Sequence, residues 1–212
     1  MKIISLVANK GGVGKTLMAA SLAVLAQQDC EAEEGEAGRG KVAMFDMDPQ
    51  GSLTTWYNVR KRDGPALVDP MPAIFALRRH WLRRKGVRYL FIDAPPGYSE
   101  FTAQAVNVAD LVVIPVRPGE LDFAAVERTM RGATRRSAPF VALPNAGLFR
   151  SRSMGDLIRR LDEEGRDRLS AIHHRVDLPL RNGLTLPETQ PNSAGARELR
   201  TVWAEIRNRL EE

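Results

Sequence analysis

The stretch that decides the fold is VANKGGVGKTLMAASLAVLAQQ, from Val7 to Gln28. An apolar run over residues 2–8 predicts a strand that leads into it, and the Ala- and Leu-rich run over residues 16–28 predicts a helix that follows. Glycines let the backbone between them curl, so that successive N–H groups point at phosphate oxygens. The N-terminus of the helix adds positive charge there. This order of strand, glycine loop and helix predicts a phosphate-binding P-loop.

The loop carries two lysines, where one is enough to hold a phosphate. Lys15 is expected to contact the β- and γ-phosphates of a nucleotide, and Thr16 to place its hydroxyl on Mg²⁺. The literal pattern G-x-x-x-x-G-K-[ST] fails, because Asn9 stands at its first glycine position and Lys10 precedes the double glycine. The alternative is a glycine turn with two solvated lysines.

Length and composition favour one large domain over residues 1–212. Hydrophobic residues make up 43% of the 212, enough for a sizeable core. Cys30 is the single cysteine, which excludes an intrachain disulfide and a cysteine metal cluster, and a cytoplasmic protein is expected. There is no apolar run of membrane-spanning length, and the N-terminus is interpreted as a strand, not a signal peptide. The net charge of +5 permits nucleic-acid binding without showing it.

Short apolar runs alternate with helical patterns along the whole chain. This alternation predicts a doubly wound α/β domain with a mainly parallel sheet covered on both faces. The predicted strands are 2–8, 41–46, 88–93, 110–116, 140–144 and 171–176, and the predicted helices are 16–28, 72–86, 99–109, 122–136, 153–169 and about 194–211. The acidic, Gly-rich segment 29–40 is predicted to be a mobile loop.

Carboxylates follow two of the predicted strands, at the edge where α/β sheets bind ligands. Asp46 and Asp48 lie in FDMDPQGSLTTW, and Asp93 ends LFID before APPG. An aspartate at the end of an apolar strand is costly to bury without a cation, and Mg²⁺ bound to ATP supplies one. A strand-end cap or a turn would explain each aspartate alone, but the glycine loop upstream favours the nucleotide site.

The form Lys10-Gly11-Gly12-Val13-Gly14-Lys15-Thr16 resembles the deviant Walker A motif of the ParA/MinD superfamily. The resemblance implies that ATP and Mg²⁺ are the cofactors, and that Lys10 reaches across a homodimer interface to the partner's nucleotide. It further implies that Asp93 acts on Mg²⁺ through water, that Asp46 lies in the magnesium shell with Thr16, and that Asp48 orients the attacking water. The expected catalytic residues are therefore Lys10, Lys15 and Asp48. The expected nucleotide contacts in the loop are Lys10, Gly11, Gly12, Val13, Gly14, Lys15, Thr16 and Leu17.

The same resemblance implies further nucleotide contacts in three other segments. APPG, residues 94–97, corresponds to a second switch, in which the Gly97 amide is able to sense the γ-phosphate. Pro144 and Asn145 follow a strand at a position where this superfamily often contacts adenine. LPET, residues 186–189, offers Pro187 and Glu188 for the same role, and the sequence does not decide between the two places.

The likeness covers nearly the full chain and is greatest to small ParA ATPases of the ParF kind, which lack an N-terminal helix-turn-helix. Such proteins bind nucleoid DNA without sequence preference as ATP dimers, and a cargo-bound partner protein stimulates their slow hydrolysis. The expected role is therefore partition of plasmid or chromosome DNA. The candidate DNA contacts are Arg150, Arg152, Arg159, Arg160, Arg166, Arg168, Arg175, Arg181, Arg197, Arg200 and Arg207, with an alternative patch at Arg78, Arg79, Arg83, Arg84, Lys85 and Arg88.

Three rival functions stay open. A MinD-like membrane ATPase would end in a basic amphipathic helix, but this chain ends in two glutamates, so no stable membrane association is expected. A synthetase on the same fold is possible, although the DPQ motif argues against it. ParA-like positioning of a chemotaxis cluster or a carboxysome would use the same residues. His173 and His174 would face opposite sides of a strand, which is poor geometry for joint metal binding.

Overall fold

The computed structural model describes residues 1–69 and 75–211. Its centre is a seven-stranded sheet, in the order β3-β2-β4-β1-β5-β6-β7, and every pair of neighbouring strands is parallel. The strands are β1 (Lys2–Leu6), β2 (Val42–Asp46), β3 (Ala66–Leu67), β4 (Tyr89–Asp93), β5 (Leu111–Val116), β6 (Phe140–Gly147) and β7 (Ile172–His173). The prediction of a doubly wound, mainly parallel sheet is confirmed.

Helices cover both faces of the sheet, as continuous apolar strands require. They are α1 (Lys15–Glu34), α2 (Ser52–Asn58), α3 (Phe75–Arg84), α4 (Glu100–Val108), α5 (Glu120–Thr134), α6 (Arg152–Glu163), α7 (Leu186–Thr189) and α8 (Ala194–Glu211). One apolar core joins the sheet to α1, α2 and α8, and the other joins it to α3, α4, α5 and α6. Alternate residues of a strand feed the two cores: Ile4 and Leu6 point to the first, Ile3 to the second.

The acidic segment 29–40 is not the loop that its composition predicts. Helix α1 continues through Glu34, and a 3₁₀ turn at Gly35–Gly38 follows it. Tertiary partners hold the acidic side chains: Asp29 accepts from the Trp203 indole N–H at 2.8 Å, and Glu33 and Glu34 accept from Arg88 at 2.7 and 2.9 Å. These tertiary contacts accompany a helix that ends where Gly35 adopts a positive φ of 61°.

Other elements differ from the prediction at their ends. The helix that begins near residue 153 stops at Glu163, because Gly165 adopts a positive φ of 61°. The strand predicted over 171–176 is confined to Ile172–His173. Helices α2 and α7 and strand β3 were not predicted, and residues 72–74 of the predicted helix 72–86 lie outside the described residues.

Candidate functional site

The glycine loop lies between β1 and α1, in the middle of the sheet. Gly12 and Gly14 have positive φ values of 72° and 95°, a conformation that other residues rarely adopt. Gly14 is the N-cap of α1 and provides no side-chain acceptor, so the first N–H groups of this 20-residue helix are left for another partner. A curled loop that opens onto a helix N-terminus is a binding site for an anion such as phosphate.

Asn145, in β6, is hydrogen-bonded to the glycine loop. Its side-chain Nδ2 donates to the Val13 carbonyl at 2.7 Å, and a Cβ added to Gly14 would lie 2.5 Å from the same nitrogen. The Oδ1 atom is buried and has no hydrogen-bond partner among the described residues. Asn145 therefore fixes the loop, while Pro144 is buried within β6. Contact of either residue with adenine stays a prediction.

Lys15 is a buried cation at the start of α1, with a side chain deep in the cleft formed by the loop and the strand ends. Burial lowers its pKa, and the carboxylates of Asp93 and Asp48 act in the opposite direction. A charge held this way, out of water and near an anion-binding loop, is suited to neutralise a phosphate.

Thr16 and Asp93 form the part of the site that fits a magnesium ion. The Thr16 hydroxyl donates to Asp93 Oδ2 at 2.6 Å, while the buried Oδ1 has no partner among the described residues. Burial is the main cause that raises the pKa of Asp93 to about 7, and the nearby charge of Asp46 adds to it. An orphaned, desolvated carboxylate oxygen beside a hydroxyl fits Mg²⁺, which binds one or two carboxylates and completes its shell with phosphates and water. Within residues 1–69 and 75–211, no three acidic, His or Cys side chains converge to hold a metal unaided.

Asp46 stands directly beside Asp93, because β2 and β4 place the two residues in register. Its Oδ2 accepts from both the backbone N–H and the hydroxyl of Thr54 at 2.8 Å, and its Oδ1 accepts from the N–H of Asp48 at 3.2 Å. Both oxygens thus anchor the turn into α2. A place for Asp46 in the magnesium shell stays a prediction.

Asp48 lies in the turn that precedes α2. Its Oδ1 accepts from the Gln50 N–H at 3.0 Å, and Gly51 follows in a left-handed conformation as the N-cap of α2. The side chain is half-buried, close enough to bias the pKa values of Lys15 and Asp93. Its position at the rim of the cleft is compatible with the predicted orientation of water.

Lys10 occupies a different environment from Lys15. Its side chain is 48% exposed, and its Nζ lies 2.8 Å from Asp122 Oδ1 in the first turn of α5. In this structure the extra lysine is therefore paired within its own chain, and its reach across a dimer interface stays a prediction. The one signal in the sequence for the partner Asp122 is that acidic residues lie at the start of the predicted helix.

The second switch is tied to the end of β1. The Gly97 N–H, predicted to sense the γ-phosphate, donates to the Ala8 carbonyl at 3.2 Å. This amide is therefore occupied in the structure, and contact with phosphate would require that bond to break. Ser99 then caps α4 by accepting from the Thr102 N–H.

The Glu188 side chain, one of the expected nucleotide contacts, is bound within the chain by Arg60 and Thr185. Its carboxylate accepts from Arg60 Nη1 and Nη2 at 3.0 and 2.8 Å, and from the N–H and hydroxyl of Thr185 at 2.9 Å. Both charged side chains are nearly inaccessible, at 4% and 3% exposed. A buried carboxylate requires such a cation, so the pair joins the segment after α2 to α7. Pro187, also buried, is the second residue of the same short helix, and contact of Pro187 or Glu188 with a nucleotide stays a prediction.

Many arginines proposed for DNA are held by acidic neighbours. Arg159, Arg160, Arg168, Arg175 and Arg207 form ion pairs with Asp156, Glu164, Asp162, Glu198 and Asp29 respectively. Arg181, Arg197 and Arg200 instead donate to backbone carbonyls, and Arg150 lies against the Phe149 ring.

The His173 ring is hydrogen-bonded to the Glu198 carboxylate at 2.9 Å, so this ring has a protein partner that accounts for its position without a metal. Among the described residues, no helix combines the length and the apolar character needed to cross a membrane.

Comparison with known proteins places this site in a family. Residues 4–209 match the model of the CobQ/CobB/MinD/ParA nucleotide binding domain. The chain is 27% identical over 142 residues to the maintenance of carboxysome distribution protein A of Gloeobacter kilaueensis, covering 62% of this chain and 56% of that protein. It is 32% identical over 143 residues to the chromosome-partitioning ATPase Soj of Thermus thermophilus, covering 54% of each. The chain thus spans about half the length of these curated relatives.

Solved structures share the fold over almost the whole chain. Apo McdA from Cyanothece superposes with a TM-score of 0.75 at 18% identity, covering 99% of both chains. Cobyrinic acid a,c-diamide synthase from Mycobacterium smegmatis, with a bound ATP analogue and magnesium, gives a TM-score of 0.73 at 20% identity, covering 98% of this chain and 94% of that one. With the loop, the strand-end carboxylates and the family match together, the chain belongs to the CobQ/CobB/MinD/ParA nucleotide-binding family.

Proposed function

We propose that residues 1–212 form a single ParA-type ATPase domain that binds ATP with Mg²⁺, dimerises when ATP is bound and holds DNA without sequence preference. A partner protein on the cargo stimulates its slow hydrolysis. The observation that carries this proposal is the separation of the two loop lysines. Lys15 is buried beside the strand-end carboxylates, whereas Lys10 lies at the rim with 48% of its side chain exposed. A second cation at the rim, paired in this structure with Asp122, is able to reach a phosphate outside its own cleft.

Each site residue has a defined task in this proposal. Lys15 and the free N–H groups at the start of α1 bind the phosphates. Thr16 and Asp93 would hold the magnesium ion, which supplies charge neutralisation at the phosphates when bound. Asp48, at the rim, orients water, and Lys10 leaves Asp122 to contact the partner's nucleotide. Phosphoryl transfer needs little more from a protein than positioning and charge stabilisation.

The DNA step depends on arginines that acidic neighbours do not already hold. Arg150, Arg181, Arg197 and Arg200 contact only carbonyl oxygens or a ring among the interactions described above, so their charges are available to phosphates. Binding through such residues weakens steeply as salt is raised. The proposed location is the cytoplasm, on the nucleoid.

The relatives support two kinds of cargo. The Soj relative is named a chromosome-partitioning ATPase, and the Gloeobacter relative is named a maintenance of carboxysome distribution protein. DNA partition is the first candidate, and positioning of a protein cluster is the second, supported by the Gloeobacter relative. The two share every step described here except the identity of the cargo.

The experiment measures ATP turnover and retention on DNA for the wild type and three variants. Wild-type protein is expected to bind DNA with ATP but not with ADP. Lys15→Ala is expected to lose nucleotide binding, and Asp48→Ala to keep ATP and DNA while losing turnover. Lys61→Ala, an exposed lysine outside the site, is the matched control. Retention on lipid vesicles but not on DNA, or turnover that requires a small carboxylate substrate, would contradict the proposal.

A further inference from the structure

A cavity of about 440 Å³ lies between α4 and α5, separate from the cleft that contains Lys15. Its apolar lining comes from Val7, Val106 and Ala133, at the sheet and on the two helices. Asn9 of the glycine loop and Gly97 of the second switch border it. The volume is within the range of pockets that bind small molecules in proteins. The cavity is therefore large enough for a ligand and touches both nucleotide-sensing loops.

Four arginines line the cavity: Arg128, Arg131, Arg135 and Arg136. The first three lie at positions i, i+3 and i+7 of α5 and its C-terminal end, so they share one face. No described Asp or Glu lines the cavity, and no ion pair joins these three to any acid that the structure describes. Arg128, Arg131 and Arg135 are exposed, so their charges lie at the mouth of the cavity. The cavity thus combines positive charge at its mouth with an apolar surface inside.

Tyr98 forms the wall on the side of the second switch. Its ring is 71% exposed, and the Arg136 guanidinium lies 5.3 Å from the ring centroid and donates to its hydroxyl. Arg136 also donates to the Gly132 carbonyl at 3.2 Å. An exposed aromatic ring beside a guanidinium plane is able to stack on a flat ligand.

We propose that this cavity binds a small molecule that combines a phosphate group with an aromatic or aliphatic body. Guanidinium groups bind phosphate through paired, charge-assisted hydrogen bonds, which suits Arg131 and Arg135. The apolar lining and the Tyr98 ring suit the body of the ligand. A ligand that engages Arg136 competes with its bond to Tyr98, and Tyr98 adjoins Gly97, whose N–H is bonded to the end of β1. The cavity therefore lies next to the second switch.

Phenyl phosphate is the probe, titrated by calorimetry into the full chain saturated with ADP and Mg²⁺, so that the glycine loop is filled. The wild type is expected to bind one molecule per chain. Arg131→Gln/Arg135→Gln is expected to bind about tenfold more weakly or worse, because two charge-assisted contacts are lost. Arg39→Gln/Arg84→Gln, which removes two exposed arginines elsewhere, is expected to bind as the wild type does.

Tyr98→Ala distinguishes binding in this cavity from a general attraction of phenyl phosphate to positive charge. It removes an exposed ring without changing the net charge, and it is expected to weaken phenyl phosphate binding as well. Equal affinity in all variants, or no saturable binding by the wild type, would overturn the proposal. Benzoate binding as tight as phenyl phosphate binding would overturn the assignment of phosphate. None of these outcomes depends on dimerisation, DNA or hydrolysis, so failure here leaves the proposed function to be judged separately.

Discussion

Replacing Asp93 by Asn tests how much the burial of this carboxylate lowers the free energy of unfolding. The carboxyl is fully buried, its Oδ1 has no described partner, and burial raises its pKa from 3.8 to about 7. In the unfolded chain the group loses its proton near pH 4, whereas in the folded chain it holds the proton until about pH 7. Between these values the folded state binds more protons than the unfolded state, so the free energy of unfolding falls as the pH rises.

The size of this effect follows from the pKa difference. About three pKa units at about 1.4 kcal/mol each give a loss of about 4 kcal/mol between pH 4 and pH 8 in the absence of nucleotide and Mg²⁺. Asn resembles the protonated acid and still accepts the Thr16 hydroxyl bond. Asp93→Asn is therefore expected to match the wild type near pH 4 and to exceed its free energy of unfolding by up to about 4 kcal/mol at pH 8.

The assay is urea unfolding followed by tryptophan fluorescence at several pH values, without nucleotide or metal. Glu36→Gln, which changes an exposed carboxylate in the turn after α1, is the control and is expected to follow the wild type. The same Asp93→Asn protein is expected to lose Mg²⁺-dependent tightening of ATP binding. If Asp93→Asn and the wild type lose stability in parallel from pH 4 to pH 8, the reasoning about burial is refuted.

Three further changes test other contacts. Asp122→Asn breaks the ion pair with Lys10, which as a partly exposed pair stabilises the monomer by about 0.5–1 kcal/mol. The change releases Lys10 for the partner, so sedimentation is expected to show an ATP-bound dimer about two- to fivefold tighter than that of the wild type. A weaker dimer would contradict this. Glu188→Gln leaves the buried Arg60 unpaired, and thermal or urea unfolding is expected to show a loss of about 3–5 kcal/mol, whereas a loss under 1 kcal/mol would show that the pair is dispensable. Gly14→Ala places a methyl group 2.5 Å from a buried nitrogen at a positive φ, so fluorescent ATP is expected to stop binding while the fold persists, and retained affinity would refute the loop geometry.

The parts of the fold that could be predicted are those determined by the residue pattern within one short segment. Strand, glycine loop and helix follow directly from residues 2–28, and the alternation of apolar runs predicts the parallel sheet, because each signal lies within one short segment. The strand-end carboxylates could also be found, since the carboxyl ends of parallel strands meet at one edge. The positions of Asp48 and Asp93 near Lys15, and of Asp46 beside Asp93, agree with that expectation.

The remaining features depend on partners distant in sequence. Residues 29–34 are helical, with carboxylates bound by Arg88 and Trp203, and neither contact is visible in the segment itself. Glu188 lies in a motif from which a nucleotide contact was expected, and in the structure its carboxylate accepts hydrogen bonds from Arg60, 128 positions away. The arginine-lined cavity arises only when α5 packs beside α4. Tertiary pairing, not local propensity, decides these features.

The central claim is that ATP joins two copies of this chain through Lys10. Light scattering coupled to size-exclusion chromatography, with Mg²⁺ and a non-hydrolysable ATP analogue, measures it most directly. The wild type is expected to elute as a dimer of its 23.5 kDa chain, and Lys10→Ala as a monomer that still binds the analogue. A wild type that stays monomeric with the analogue bound, or a Lys10→Ala protein that dimerises as well as the wild type, would contradict the account.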